Sequence, residues 1–257
     1  MLRAWLAHPL TGGLDINDPR TTALRRQIIQ SKAFLRQIYD VWYRLLAGAL
    51  PPGREPVIEL GAGAGFLRDY VPDLITSDLF PCPGLDAVLD GTALPFPAAS
   101  LRAVVMTDVL HHVPQPRRFL AEAARCIRPE GVVALIEPWV TPWSRVVYTS
   151  LHHEPFRPEA GAWEFPASGP LSGANSALPW IIFQRDRAQF EAEFPEWEIR
   201  SMRPFMPFRY LVSGGVALRS LMPGWTFGLW RGLEEWLEPW EDNLAMFVHI
   251  VLVRRRI

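Results

Sequence analysis

The chain is poor in cysteine: Cys82 and Cys126 are its only two, and they make neither a disulfide framework nor a metal-ligand spacing. That usage fits a reducing cytoplasm. Charge of one sign is also lacking, because 26 basic residues stand against 27 acidic ones, for a net charge of −1. No global field would gather a polyanion, so nucleic acid is not an expected partner. The one basic run, Arg254 to Arg256, sits at the chain end and serves solubility. No apolar run approaches the ~20 residues that span a bilayer. The opening residues, Met1 to Leu10, lack the long apolar centre and small-residue cleavage site of a secretory signal. No metal site is expected either: adjacent histidines do not share a helix face, and neither His111-His112 nor His152-His153 is followed by another ligand at zinc spacing.

What is present is a large apolar fraction, 49% of residues, ample for one sizeable α/β domain. Its most informative stretch runs from Val57 to Phe66, an apolar strand leading into Glu59 and then Gly61, Gly63 and Gly65 on alternate positions. Such glycines permit positive φ and let a ligand lie close to the backbone, with free N–H groups expected at the start of the next helix. Before this turn, Leu24, Ile28, Leu35, Ile38, Trp42 and Leu45 recur at helical spacing, after Asp18-Pro19 as cap and first turn. After it, the pattern predicts a short helix from Phe66, then strands over 74–77, 87–89 and 101–106. A helix around 117–127 ends at Pro129-Glu-Gly131, and a strand follows over 132–136. Strands alternating with helices imply a doubly wound, mostly parallel sheet with helices on both faces. Residues 138–186 are rich in Pro, Gly and Ser yet carry Trp139, Trp143, Trp163 and Trp180, too apolar for a disordered linker. A helix over 185–194, strands over 197–202 and 244–253, and an aromatic, helix-like stretch over 208–243 complete the reading. One domain is expected: an N-terminal helical segment (1–55), a core (56–140) and two cap insertions (141–185 and 208–243).

Five features in chain order resemble the class I S-adenosylmethionine-dependent methyltransferases, in particular the small-molecule type with a ubiquinone-methyltransferase-like core. They are Glu59-Leu-Gly-Ala-Gly-Ala-Gly65, Asp78 at the end of the second strand, Asp90-Gly-Thr-Ala-Leu-Pro-Phe96, Asp108-Val-Leu-His-His-Val113 and Arg128-Pro-Glu-Gly131. From the residues alone, Asp78 stands one strand-helix-strand unit beyond the turn, where a carboxylate accepts ribose hydroxyls, and Asp90 can accept an adenine amino group. A strand-end Asp is also a common turn former or cap. The resemblance implies an antiparallel last strand and S-adenosylmethionine as cofactor. It further implies that Gly61, Ala62, Gly63 and Gly65 pack against the methionine part, that Glu59 orients its amino end, and that Thr107 and Asp108 complete the pocket, with Gly91 beside Asp90. Leu101-Arg102 departs from the family, which often has an acidic residue there. More loosely, Ile28 to Leu35 and Ser213-Gly-Gly215 resemble bacterial methyltransferases associated with surface-polysaccharide genes. The rival dinucleotide fingerprint wants glycine where this chain has Phe66, and it leaves Glu59 and Asp90 unexplained. A non-catalytic protein of the same fold is the alternative from another class.

Methyl transfer from a sulfonium is an in-line displacement that asks for alignment and exclusion of water. A base helps only where the acceptor holds a proton. His111, His112 and His153 are the candidates, with Glu154 beside the last, and each has a plain structural reading as a hydrogen-bonded residue. No Asn/Asp-Pro-Pro-aromatic sequence follows the fourth strand, which with the balanced charge points to a small-molecule or lipid-like acceptor on oxygen or nitrogen, such as a glycan or glycolipid precursor. The tryptophans suit an acceptor pocket, a core or a homodimer interface alike.

Overall fold

The computed structural model of the chain describes residues 19–152, 154–166 and 173–256. Asp18 and His153 therefore lie outside the described residues. Seven strands form: β1 (Val57–Leu60), β2 (Leu74–Asp78), β3 (Ala87–Val88), β4 (Leu101–Thr107), β5 (Ile127–Pro138), β6 (Trp197–Phe205) and β7 (Phe247–Arg254). They make one sheet in the order β3-β2-β1-β4-β5-β7-β6. The first five strands pair in parallel, and β7 runs antiparallel between β5 and β6. Alternate side chains separate two cores. Val57, Val105, Ala134 and Val251 go to one face, Ile58, Val104, Val133 and Ile250 to the other. Burial on both faces is why the strands read as near-continuous apolar runs.

Helices cover both faces. On one lie α1 (Pro19–Ser31), α2 (Ala33–Ala49) and, further along the chain, α4 (Pro142–Leu151), with Phe34, Leu35, Ile38, Trp42 and Leu46 of α2 in the core. On the other lie α3 (Pro116–Cys126) and α5 (Arg187–Glu193), through Phe119, Leu120, Ala123 and Phe190. Cys126 is a small buried member of that second core. The 208–243 stretch holds α6 (Arg209–Ser213) and α7 (Phe227–Trp236).

Three local expectations are corrected. The helix foreseen from Phe66 is a single 3-10 turn, Leu67–Asp69, because β2 begins at Leu74 and leaves no length for more. The helix foreseen to 127 stops at Cys126, and the Arg128–Gly131 segment bulges within the start of β5, where Glu130 takes φ +64°. A Cβ on Gly131 would stand 2.7 Å from the Arg102 carbonyl, so only glycine fits there. The N-terminal helical segment is two helices, broken at Lys32, whose backbone is extended. Lys32 is the chain's only lysine, and its buried ammonium donates to the carbonyls of Gly215 (2.6 Å) and Leu218 (2.8 Å). The break thus ties the helical segment to the second insertion, joining Ile28–Leu35 to Ser213-Gly-Gly215. Arg102, the departure from the family pattern, donates to the Gly53 carbonyl at 2.9 Å and fastens the turn before β1.

Candidate active site

In a parallel sheet, ligands sit beyond the carboxyl ends of the strands where the strand order reverses, here between β1 and β4. A cavity of about 220 Å³ opens at that point. The glycine turn forms one wall. Gly61 (φ +69°) and Gly63 (φ +25°) occupy backbone conformations that L side chains avoid. The reasons for the glycines differ by position: a Cβ on Gly61 would meet Val109 at 2.4 Å and one on Gly65 would meet the Tyr43 hydroxyl at 2.5 Å, so these two serve protein packing. The expected row of free N–H groups is largely spent inside the protein. Ala62 donates to the Ser77 carbonyl, Gly65 to the Ala62 carbonyl and Phe66 to the Tyr43 hydroxyl.

Glu59 lies one residue before the end of β1, almost completely buried, and burial pushes its carboxyl up to about 8, with Arg68 opposing and Asp78 adding to the shift. Asp78 ends β2; burial raises its pKa while the N–H groups of Leu79, Phe80 and Gly63 hold its charge. Asp90 is exposed and forms a turn, accepting from the Thr92 N–H and hydroxyl at 2.8 Å each. Gly91 lies against Leu60 and Phe119. Thr107 and Asp108 end β4, Asp108 in the left-handed region at φ +62° and with its carboxyl pushed up by burial to about 7. All these residues, with Ala62, line the cavity.

The opposite wall joins parts of the chain that the sequence kept apart. His111 is fully buried; its Nδ1 lies 2.7 Å from a Glu137 oxygen and its Nε2 3.3 Å from Glu154. Burial alone would lower its pKa, but the two carboxylates overcome this and raise it well above the ordinary range. His112 and His152 both face Glu154, their nitrogens 3.6 and 3.8 Å from its oxygens. Burial and the charge of His111 lower His112 to about 3. Against burial, the neighbouring histidines hold the Glu154 carboxyl well below its usual range. His112, His152 and Glu154 line the cavity, whereas His111 stands behind them. The premise against a metal site is corrected here: spacing within each pair could not show that the fold places His111, His112 and Glu154 with ligand atoms all within 4.8 Å of one another.

Sequence reasoning missed Glu137, Tyr43, Tyr210 and Arg25. Glu137, at the end of an otherwise apolar β5 run, carried a legible signal; it accepts from the N–H groups of Val109 (2.9 Å) and Leu110 (2.6 Å) and so fixes the loop that bears His111. Tyr39, Tyr43 and Tyr210 supply aromatic lining, while no tryptophan lines the cavity among the described residues. Trp139 and Trp163 are core, and Trp225 and Trp236 are exposed.

Residues 58–135 match the family described as a methyltransferase domain. That stretch is similar to a methyltransferase domain, and the sheet around it has the Rossmann-like fold expected from the sequence. Solved structures share its fold. A SAM-dependent methyltransferase from Archaeoglobus fulgidus is 13% identical, with 86% of this chain and 94% of that chain covered at a TM-score of 0.52. The geranyl diphosphate C-methyltransferase from Streptomyces coelicolor is 11% identical, with 97% and 90% covered at 0.50. A chain from the complex that contains the Haloferax volcanii Trm112 methyltransferase activator is 12% identical, with 93% and 97% covered at 0.53. A search of curated proteins gives no match. Among the described residues no helix is long and apolar enough to cross a membrane.

The lining of the cavity fits S-adenosylmethionine, the cofactor the resemblance implies. The Thr107 hydroxyl is buried without a partner, Glu59 offers a desolvated carboxylate to an amino group, and Asp78 stands at the strand end where ribose hydroxyls would meet it.

Proposed function

We propose that the chain transfers the methyl group of S-adenosylmethionine to an oxygen or nitrogen of a small acceptor, with glycan and glycolipid precursors as the first class to test. The observation that carries this reading is the convergence on one cavity of a cofactor wall (Glu59, Gly63, Asp78, Asp90) and a polar wall from the first insertion (His152, Glu154). Imidazoles and a carboxylate suit a hydroxyl-rich acceptor. We place that action in the cytoplasm, in keeping with a chain that has only two cysteines.

When bound, the cofactor supplies an electrophilic methyl group on a sulfonium. Glu59 would hold its amino end, Asp78 its ribose hydroxyls and Asp90 its adenine amino group. Tyr39, Tyr43, Tyr210 and Val216 exclude water from the reacting centre. The polar wall of His112, His152 and Glu154 would set an acceptor's lone pair against that methyl group. His112 faces this centre, but at a pKa of about 3 it is a weak base, so alignment carries the rate. His111 positions Glu154 from behind, and His153 stays a candidate by its place in the chain.

Calorimetry with S-adenosylhomocysteine tests the cofactor half. Hydrogen bonds to a charged acceptor contribute ~1.5–3 kcal/mol, so Asp78→Ala should weaken binding roughly 10- to 100-fold. Folded wild-type protein that binds no S-adenosylhomocysteine would end the reading.

A further inference from the structure

We propose that His111, His112 and Glu154 form a site for one divalent first-row transition-metal ion on the acceptor side of the cavity, where the ion holds and polarises an oxygen-bearing acceptor. The site stands on its own geometry; its use in catalysis rests on the methyltransferase reading above.

Spacing is the first argument. Ligand atoms held ~2.0–2.1 Å from one ion at tetrahedral angles stand ~3.3 Å from each other. Glu154 Oε2 lies 3.3 Å from His111 Nε2, Glu154 Oε1 lies 3.6 Å from His112 Nε2, and the two imidazole centroids are 4.2 Å apart. A charge-assisted N–H···O bond is shorter, ~2.7–2.9 Å. His111 shows both lengths on one ring: 2.7 Å from Nδ1 to Glu137 and 3.3 Å from Nε2 to Glu154. Its Glu137 side is a hydrogen bond, and its Glu154 side has the separation of two ligands.

The supporting residues are the second argument. Metal-ligating histidines donate their other ring N–H to a carboxylate or carbonyl, which fixes the tautomer and aims the free lone pair. Both histidines have that partner. His111 Nδ1 meets Glu137, and His112 Nδ1 lies 3.3 Å from the Gly173 carbonyl, so both Nε2 lone pairs turn toward Glu154. Glu137 is itself held by the backbone N–H groups of Val109 and Leu110.

Access and donor type complete the case. His112 and Glu154 line the cavity, so the coordination positions left open face the space beside the glycine turn. Two imidazoles and one carboxylate suit zinc, iron(II), manganese or cobalt, whereas magnesium and calcium take all-oxygen sets. The competing arrangement has a proton in place of the ion, with His111 as an imidazolium between Glu137 and Glu154.

Cobalt(II) added to chelator-treated full-length protein distinguishes the two, since its visible absorption reports nitrogen and oxygen ligation. We expect one cobalt per chain, displaced by zinc. Loss of a supporting partner alone costs about 10–100-fold in metal affinity, so the ligand variants Glu154→Gln and His112→Ala should lose more than ~100-fold. Glu154→Gln keeps the side-chain shape, and circular dichroism confirms that each variant is folded. Asp78→Ala should keep the cobalt while binding S-adenosylhomocysteine roughly 10- to 100-fold more weakly. Wild-type protein that binds S-adenosylhomocysteine but no stoichiometric cobalt or zinc would overturn the site in favour of the proton-bridged cluster. Cobalt affinity unchanged in both ligand variants would overturn it as well. Cobalt bound by a protein that takes no S-adenosylhomocysteine would support the site and overturn the methyltransferase reading alone.

Discussion

In the proposed cofactor site, Glu59 joins recognition of the ligand's amino group to a cost of burial in one side chain. Its carboxyl, raised from 4.5 to about 8 chiefly by burial, keeps a proton in the folded protein that the unfolded chain has already released above pH 4.5. The sign follows from linkage: this group's contribution to stability is full below pH 4.5 and is lost as pH rises toward 8. An ammonium group on the ligand favours the ionised carboxylate, so binding should expel a proton below pH 8. Affinity for S-adenosylhomocysteine is therefore expected to rise from pH 5 to 8, and Glu59→Gln should flatten the rise. Calorimetry at pH 6.5 in two buffers of different ionisation enthalpy reads the proton directly; equal release in wild type and variant would remove Glu59 as its source. At this scale the sequence was informative wherever an acid stands at or near the carboxyl end of a strand, as Glu59, Asp78 and Asp90 do. Glu137 was legible as an acid ending an apolar run, but its partners and those of Tyr210 were silent because they lie far along the chain, and spacing reports only near neighbours.

Among the elements, α2 bears the heaviest structural duty. Trp42 packs between sheet and insertion, its ring 4.9 Å from Phe247 of β7 and stacked 5.7 Å from Tyr210 of α6. Truncating a buried aromatic residue costs about 3–5 kcal/mol, so Trp42→Ala should lose that much in urea unfolding. It should also weaken S-adenosylhomocysteine binding, because Tyr210 lines the cavity. A loss under about 1 kcal/mol would show that α2 is not the cover this packing describes. Continuous apolar runs predicted the central strands and helical spacing predicted α2, since burial on both faces decides the former and one apolar face the latter. They failed at Lys32 and at the start of β5, where one long side chain reaching a distant carbonyl, or one bulge, overrides the local period. Tryptophan content misled in a similar way. Composition requires buried rings but does not say which face they occupy, and the cavity took tyrosines.

For the whole molecule, the cavity wall is the point where four separate stretches meet. Arg25, Ile29 and Tyr39 come from the helical segment, residues 59–65, 106–109 and 112–114 from the core, His152 and Glu154 from the first insertion, and Tyr210 and Val216 from the second. Lys32 fastens two of these to each other through Gly215 and Leu218. A ligand that binds only the folded state adds RT ln(1 + [L]/Kd), about 2.7 kcal/mol at a hundredfold excess over Kd, and local openings around it become correspondingly rarer. Saturation with S-adenosylhomocysteine should thus slow amide exchange in all four stretches together. Helix α7 gives the internal control, because Leu229 and Trp236 face solvent and neither lines the cavity. Its amides should change least. Protection confined to the core stretches, with residues 25–39, 152–154 and 210–216 unaffected, would mean that the helical segment and both insertions do not close on the methyl donor, and the acceptor would then have to bind elsewhere than against His112 and Glu154.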